Sequence, residues 1–311
     1  MKEQDYIYTI YTEQSFSKAA QKLYISQPAL SMAVKKVETD LGITIFDRST
    51  VPLTLTDEGR IYMNAVEEIR SVNRTMLEKL TDMSDLRSGR LTVSGENFVS
   101  SFILPEVLMR FLSEYSGIDV QIVESNLPDL REALLSESID LLIAHDFNST
   151  QYEAKELFEE KVLLAVPEEA EINNIVKEFS MSKLDVIKGV HKTKKAVDLK
   201  LFANEEFLMM KPGNDMQRRS AQICGEAGFI PKARVQLDQL ITAYNLACKG
   251  MGIAFVSDIL VEKANSGGCV YYNLASGYAH RKMHIGYKKH RYLNKAATAF
   301  IETAVNVFKE R

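Results

Sequence analysis

The chain has 311 residues, of which 46% are hydrophobic and 26% are charged, and its formal net charge is −4 at pH 7. This composition is that of an ordinary globular protein, and the length leaves room for two or three domains. No run of about twenty apolar residues occurs, which argues against a membrane-spanning helix. Because the first residues, MKEQDYIY, lack the apolar core of a signal peptide, we expect a cytoplasmic location.

The three cysteines, Cys224, Cys248 and Cys269, are odd in number and widely spaced, which predicts neither a disulfide framework nor a zinc site. The sequence contains no Gly-x-Ser-x-Gly elbow, P-loop or dinucleotide-binding glycine motif, and its five histidines are scattered. These patterns argue against an enzyme and predict no cofactor and no metal site. Redox sensing stays open as an alternative, although Cys224 and Cys248 have the apolar neighbours of buried, unreactive thiols.

Residues 15–38, SFSKAAQKLYISQPALSMAVKKVE, contain two short helical patterns separated by a tight polar break. Each pattern repeats apolar residues at helical spacing. Ser26 supplies an N-cap for the second helix, and Pro28 stands in its first turn, where the missing N–H costs nothing. The sequence therefore predicts a helix-turn-helix, whose second helix can present its first turns to the major groove of DNA.

The charge of this segment gives DNA binding little support by itself. Seven basic residues face eight acidic ones in the first sixty positions. Lys35, Lys36 and Arg48 could still form a local basic surface. Because the electrostatic attraction of one chain is weak, we expect binding to need more than one copy at each site.

A wing and a long helix are predicted next. Gly42 ends the second helix, and the alternating stretch ITIFDRSTVPLTLTDEG, with Pro52, predicts two short strands. Thr56 reads as the N-cap of a helix that extends to about Leu86. Its apolar residues recur every three or four positions, at Ile61, Ala65, Ile69, Val72, Met76, Leu80 and Met83. This seam favours a dimerising linker helix, although a core helix of the following domain would share the pattern.

The order of residues in this region resembles that of the LysR-type transcriptional regulators. The shared residues are Phe16, Ser17, Ala19, Ala20, Leu23, Ser26, Gln27, Pro28, Ala29, Leu30, Ser31, Glu38, Leu41, Gly42, Phe46, Arg48 and 53–59. The resemblance implies a winged helix-turn-helix DNA-binding domain over residues 1–58, a linker helix over 59–88 and an effector-binding domain over 89–311. It also implies a homodimer or tetramer bound to double-stranded DNA at a promoter dyad.

Reading of the bases is expected from the start of the second helix. Glutamine can bond bidentately to adenine, serine can donate or accept at a base edge, and proline can contact a thymine methyl. In many members of the family a basic residue follows the serine, but this chain has Met32. Arg48 would approach the phosphates from the wing, and we interpret Ser26 chiefly as an N-cap. The predicted DNA-binding residues are Ser26, Gln27, Pro28, Ser31, Met32, Lys35 and Arg48.

From residue 91 onward, two series of strand and helix patterns predict an α/β domain with two lobes and parallel sheets. Ser88, Gly89 and Arg90 read as a hinge before it. We expect the chain to cross between the lobes near 162–166 and to return near 269–274. Lobe I would then hold about 90–164 and 270–311, and lobe II about 165–269. The LysR resemblance extends over this region and implies a two-lobed, periplasmic-binding-protein-like effector domain.

The resemblance implies a small-molecule effector between the lobes, at the ends of strands, and we expect an organic acid or an amino acid. Ser100 and Ser101 should begin a helix and offer hydroxyl and backbone N–H groups to an anion, unless they merely cap it. The predicted effector-binding residues are Asn97, Ser100, Ser101, Phe102, Asn126, Asp146, Lys211 and Gly213.

One stretch departs from the family. Residues 171–196, EINNIVKEFSMSKLDVIKGVHKTKKA, are longer than expected and include His191, Lys192, Lys194 and Lys195. They predict a solvated loop or extra helix, with a basic lip on the cleft or a protein contact as the alternative. A cytoplasmic solute-binding protein would explain two lobes, but it would not explain residues 1–86.

Overall fold

The computed structural model describes residues 2–82 and 89–309, which form two compact units that divide near residue 83. The elements of the first unit are α1 Lys2–Glu13, α2 Phe16–Lys22, α3 Gln27–Leu41, β1 Phe46–Asp47, β2 Thr54–Leu55 and α4 Asp57–Thr81. The predicted helix-turn-helix is therefore α2 and α3, and the predicted wing is the antiparallel pair β1 and β2. The expected end of the long helix near Leu86, together with Met83 and Ser88, lies outside the described residues.

Local capping explains where the helices of this unit begin and end. The Ser15 hydroxyl accepts a hydrogen bond from the backbone of Lys18, and the Ser26 hydroxyl accepts one from Ala29. Gly42 ends α3 in the left-handed region at a φ of 69°, where a residue with a Cβ would be strained. The helices enclose a small apolar core of Ile7, Ile10, Ala19, Ala20, Leu30, Val34, Ile45, Phe46, Met63 and Val66.

The start of α4 is locked against the wing. The Thr56 hydroxyl accepts a hydrogen bond from Gly59 N at 2.9 Å and donates one to the Thr44 carbonyl. Gly59 lies so close to the chain before β1 that a Cβ there would stand 2.0 Å from the Ile45 carbonyl oxygen. Only glycine permits this approach, which sets the direction in which α4 leaves the unit.

The second unit is a mixed α/β structure. Its strands are β3 Gly89–Gly95, β4 Ile118–Glu124, β5 Leu141–Ala144, β6 Tyr152–Pro167, β7 Glu206–Met210, β8 Lys232–Leu237, β9 Ile253–Ser257, β10 Cys269–Asn273 and β11 His280–Lys288. Its helices are α5 Asn97–Phe102, α6 Leu104–Glu114, α7 Leu127–Leu135, α8 Ile172–Ile175, α9 Lys183–Ile187, α10 Asp215–Glu226, α11 Leu240–Ala247, α12 Asp258–Lys263 and α13 Lys295–Lys309.

The sheet is mixed, and the expectation of parallel sheets is only partly right. The strands follow the order β4-β3-β5-β11-β6-β9-β7-β8, and β10 pairs with β6. Parallel pairs occur within each lobe, at β3 with β4 and β5 and at β7 with β8 and β9. Strands β6 and β11 run antiparallel to their neighbours, because they carry the chain from one lobe to the other and back.

The 16-residue strand β6 belongs to both lobes. Residues 152–161 pair with β11, and residues 162–167 pair with β9 and β10. The pairing partner of β6 therefore changes between residues 161 and 162. The return is later than expected, because Cys269, Tyr271 and Tyr272 of β10 lie in the core of lobe II and β11 brings the chain back.

Two local expectations are wrong, and a third is right in its main form. Gly89 and Arg90 are not a hinge but the first residues of β3, because they continue its pairing with β4. Residues 97–102 form a helix of their own, so Ser100 and Ser101 lie in its last turn and do not begin a helix. The stretch 171–196 packs as short helices on lobe II, with Met181 paired to Tyr271, in agreement with the expected extra helix. The alternative of a basic lip on the cleft is wrong, because the stretch lines no part of the interlobe cavity.

No helix within residues 2–82 and 89–309 has the length and apolar character needed to cross a membrane. In the same residues, no group of three or more His, Cys, Asp or Glu side chains is arranged to hold a metal ion.

Candidate functional site

The first turns of α3 present the predicted reading residues along one face. Gln27, Pro28 and Lys35 are exposed, Ser31 is half-buried, and the Met32 side chain is 68% exposed. Residues three and four apart share a helix face, so these side chains form one continuous strip. Leu30 and Val34 enter the core from the other face of the helix.

Two predicted residues have structural partners. The Ser26 hydroxyl accepts a hydrogen bond from Ala29 N at 3.3 Å, as expected of an N-cap. The Arg48 guanidinium donates to the Glu38 carboxylate at 3.3 Å and lies 5.0 Å from the centre of the Phe16 ring. Arg48 is thus held between α3 and the wing, with about half of its side chain exposed.

Sequence reasoning did not single out two exposed side chains beside this strip. Tyr24 lies in the turn between α2 and α3, and Val51 lies in the loop of the wing; both are almost fully exposed. Neither position belongs to a periodic pattern. The only indication in the sequence was a large side chain in a tight turn and another in a short hairpin loop.

Helix α4 has one buried face and one exposed apolar stripe. Met63 and Val66 enter the core of the first unit. The apolar stripe comprises Ile61, Ala65, Ile69, Val72, Met76 and Leu80, all exposed, with Val72 at 69%. The seam read from the sequence therefore faces solvent in the single chain. Scattered apolar residues are common on surfaces, but a contiguous stripe is typical of an interaction face.

A cavity of about 410 Å³ lies between the two lobes of the second unit. Lobe I contributes the turn before α5, the turn before α7 and the end of β5, while lobe II contributes the loops after β7 and β8. The ends of strands from both lobes thus meet at one opening, which is where α/β folds bind ligands.

The structure brings together four of the predicted effector residues. Asn97, Asn126, Lys211 and Gly213 line the cavity. Asp146 does not line it, although its neighbour His145 does. Ser100, Ser101 and Phe102 also stand outside the lining, because α5 already begins at Asn97 and has turned them away.

Asp146 instead joins the lobes across the opening. Its carboxylate receives a hydrogen bond at 3.0 Å from Arg218 of α10, and its carbonyl accepts one at 2.8 Å from Arg131 of α7. The Asp146–Arg218 ion pair is exposed, so it contributes little stability but marks a contact that opening of the lobes would break.

A buried charge network forms the floor of the cavity. The Arg281 Nε lies 2.5 Å from the Glu160 carboxylate, and one guanidinium nitrogen lies 3.4 Å from Asp215. Burial opposes ionisation of Glu160, yet Arg281 and hydrogen bonds from His145 and Ser257 outweigh it and lower the pKa of Glu160 to about 2. Burial, reinforced by the Arg281 charge, lowers the pKa of His145. Glu160 is therefore an anion at pH 7.

Glu96 stands between β3 and α5 and lines the cavity. Its side chain is half-buried, and burial raises its pKa although Arg281 and Arg131 oppose the shift. His145, Asp215 and Arg281 were missed as site residues, and Glu96 was not singled out although its turn was expected at the cleft. Glu96 directly follows the predicted strand LTVSG, which was an available signal, whereas nothing local marked Arg281, because its partners are far away in the chain.

The cysteines occupy two environments. Burial in α10 raises the pKa of Cys224 to about 12, as expected for an unreactive thiol. Cys248 and Cys269 share a hydrogen bond, which lowers the pKa of Cys248 to about 7 and raises that of Cys269.

Both units match known protein families. Residues 1–60 match the bacterial regulatory helix-turn-helix protein, lysR family, and residues 84–309 match the LysR substrate binding domain. A Bacillus subtilis (strain 168) protein described as an uncharacterized HTH-type transcriptional regulator, YcgK, is 27% identical over 311 residues, which cover 100% of this chain and 95% of that protein.

Solved structures share the fold. The crystal structure of CbnR, a LysR family transcriptional regulator, aligns with a TM-score of 0.64 at 16% identity, covering 99% of this chain and 98% of that one. A full-length OxyR variant from Pseudomonas aeruginosa aligns with a TM-score of 0.64 at 20% identity, covering 99% and 96%. These matches are to regulators and not to enzymes. With both characteristic domains matched in order, the chain belongs to the LysR family of transcriptional regulators, with a helix-turn-helix and an effector-binding domain.

Proposed function

We propose that this regulator reads a promoter dyad through α3 and is controlled by a small-molecule effector bound between the lobes. Control by an effector is supported by the cavity of about 410 Å³, whose walls come from both lobes. A ligand that contacts both walls favours the closed arrangement of the lobes over an open one, and can shift the population of the two.

In this proposal, Gln27, Pro28 and Ser31 contact the bases of the DNA. Lys35 and Arg48 contact its phosphates. The exposure of Gln27 and Pro28, and the place of all three in the first turns of α3, support this assignment. Ser26 and Met32 are also kept among the proposed DNA-binding residues. Ser26 contributes its backbone at the start of α3, and Met32 is the apolar side chain of the strip.

We further propose that the chain works as a homodimer or tetramer, divided into 1–58, the linker 59–88 and 89–311. The apolar stripe of α4 supports this, because pairing two antiparallel stripes would bury them and place two α3 helices on one side of the DNA. Binding by two units also offsets the balanced charge of the first sixty residues. Since its target is promoter DNA, we place the regulator in the cytoplasm.

The effector is proposed to be an organic acid or an amino acid. Asn97, Asn126, Lys211 and Gly213 are assigned to its binding, since they line the cavity from both lobes. Ser100, Ser101, Phe102 and Asp146 are not assigned, because they stand outside the lining.

The test is genome-wide mapping of DNA fragments bound by the purified chain, followed by shift assays on the strongest fragment. We expect an interrupted dyad, and we expect Gln27→Ala to lose about 1–3 kcal/mol of base discrimination at each half-site. Gln21→Ala, an exposed glutamine of α2, is the matched control. Binding without sequence preference at moderate salt, or an unchanged preference in Gln27→Ala, would contradict the assignment.

A further inference from the structure

The cations that line the interlobe cavity are already engaged by carboxylates. Lys211 Nζ lies 2.7 Å from the Asp238 carboxylate, and Arg281 is held between Glu160 and Asp215. Within the described residues the lining holds these two cations and four carboxylates, those of Glu96, Glu124, Asp215 and Asp238. An organic anion entering this cavity would therefore meet more carboxylates than cations along the lining.

Among these four carboxylates, Glu96 differs in having no partner. Asp215 is bound by Arg218 at 2.7 Å and Arg219 at 2.8 Å, Asp238 by Lys211, and Glu124 accepts a hydrogen bond from Asn97 at 3.2 Å. In the part of the chain that the structure describes, the Glu96 side chain makes no hydrogen bond or ion pair, and it is half-buried. A carboxylate withdrawn from water without a partner is costly, and a cationic ligand group would remove that cost.

We propose that the ligand of the interlobe cavity carries a protonated amino group that pairs with Glu96. This inference rests on the proposed effector site between the lobes. It keeps the amino acid of that proposal, sets the simple organic acid aside and adds a simple amine as a ligand of the same chemistry. Phe98, Val99 and Leu127 line the cavity from lobe I, and Met216 and Leu240 line it from lobe II. We therefore assign a short hydrocarbon chain to the body of the ligand. A simple amine and an amino acid share this chemistry.

Three probes of equal chain length separate the alternatives by isothermal titration against the full chain. They are pentylamine, pentanoate and norvaline, which carry an ammonium, a carboxylate and both. We expect pentylamine or norvaline to bind at least about tenfold more tightly than pentanoate, because only the two amines can form a charged hydrogen bond with Glu96. Preference for norvaline over pentylamine would identify an amino acid, and the reverse a simple amine.

The variant Glu96→Gln keeps the shape of the side chain and removes its charge. It should weaken binding of the amine probes about tenfold and leave pentanoate unaffected or improved. Glu114→Gln, an exposed carboxylate at the end of α6, is the matched control and should change nothing.

The inference is overturned if pentanoate binds as tightly as the amines, if neither amine binds, or if Glu96→Gln binds all three like the wild type. Failure of the proposed function has a different signature, namely a wild-type chain that binds the amine probes but does not bind DNA selectively.

Discussion

Glu160 and Arg281 face each other as cross-strand partners in the antiparallel pair of β6 and β11, and their side chains form an ion pair at 2.5 Å in the interior. Both side chains are almost completely buried. The two strands are the segments that carry the chain between the lobes. The pair therefore stabilises the junction on which any rearrangement of the lobes depends, directly beneath the cavity.

Removing the charge of Glu160 should destabilise the second unit. Glu160→Gln leaves Arg281 buried with only the more distant Asp215, and we expect a loss of about 3 kcal/mol in the free energy of unfolding. Because the folded pKa of Glu160 is depressed to about 2, its contribution is present above the pKa of the unfolded state and is lost as pH falls through about 2. Urea unfolding of the wild type and of Glu160→Gln at pH 7 and pH 3 measures the difference in the free energy of unfolding. Glu159→Gln, its exposed neighbour, should be nearly neutral, and an equal loss in both variants would contradict the assignment.

Replacing Glu96 should stabilise the unliganded protein, in contrast to replacing Glu160. Burial raises the pKa of Glu96, with Arg281 and Arg131 opposing and Asp215 reinforcing the shift. The folded state then favours the protonated form, so stability is lost as pH rises through this pKa and is unaffected well below it. Glu96→Gln should raise the Tm at pH 8 and leave it unchanged in acid. A lower Tm at pH 8 would show that the ionised carboxylate has a stabilising partner.

A basic residue at position 32 should strengthen DNA binding. Met32 is exposed beside Lys35 and Lys36, which lie three and four residues further along α3. We expect Met32→Arg to tighten binding and to steepen the salt dependence by about one unit of slope for each added phosphate contact. Shift assays at several salt concentrations measure both. Met109→Arg, which adds the same charge at an exposed methionine of α6, should change neither. Equal effects of the two variants would mean that net charge alone acts.

The apolar stripe of α4 should hold the dimer together. The double variant Val72→Glu and Met76→Lys introduces an i,i+4 ion pair that supports the helix while it removes two apolar side chains. Sedimentation of the variant should show a shift towards monomer, whereas Val72→Ile with Met76→Leu keeps the stripe apolar and should sediment like the wild type. A double charged variant that remains fully dimeric would exclude this stripe as the interface.

Cys248 should be the most reactive thiol. The hydrogen bond with Cys269 lowers the pKa of Cys248 to about 7, so its thiolate accumulates as pH rises through 7. Iodoacetamide labelling followed by peptide mass spectrometry should show Cys248 modified before Cys224 at pH 7.5, with a rate that falls below pH 7. Cys269→Ser should slow the reaction, and faster labelling of Cys224 would refute the prediction.

Much of the first unit could be predicted, because its signals are local. As helix caps, Ser26, Gly42 and Thr56 bond to backbone groups within four residues, and the apolar repeats of α3 and α4 are visible without any partner. The end of β3 could also be predicted, but the sequence predicted that the following helix begins at Ser100 and Ser101, later than its actual start at Asn97. Residues 97–102 show no strong repeat of apolar residues, and the Glu96 side chain does not cap the start of α5.

The sequence by itself determined the family, the order of the helices and strands of the first unit, and the apolar faces of α3 and α4, because these depend on neighbours along the chain. Only the tertiary structure decided that β6 and β11 run antiparallel to their neighbours, that Asp146 pairs with Arg218, and that Arg281 lies between Glu160 and Asp215. Those partners are separated by 66 to more than 100 positions. Charge pairing at such separations follows from the packing of whole strands, and that packing also leaves Glu96 unpaired beside the cavity.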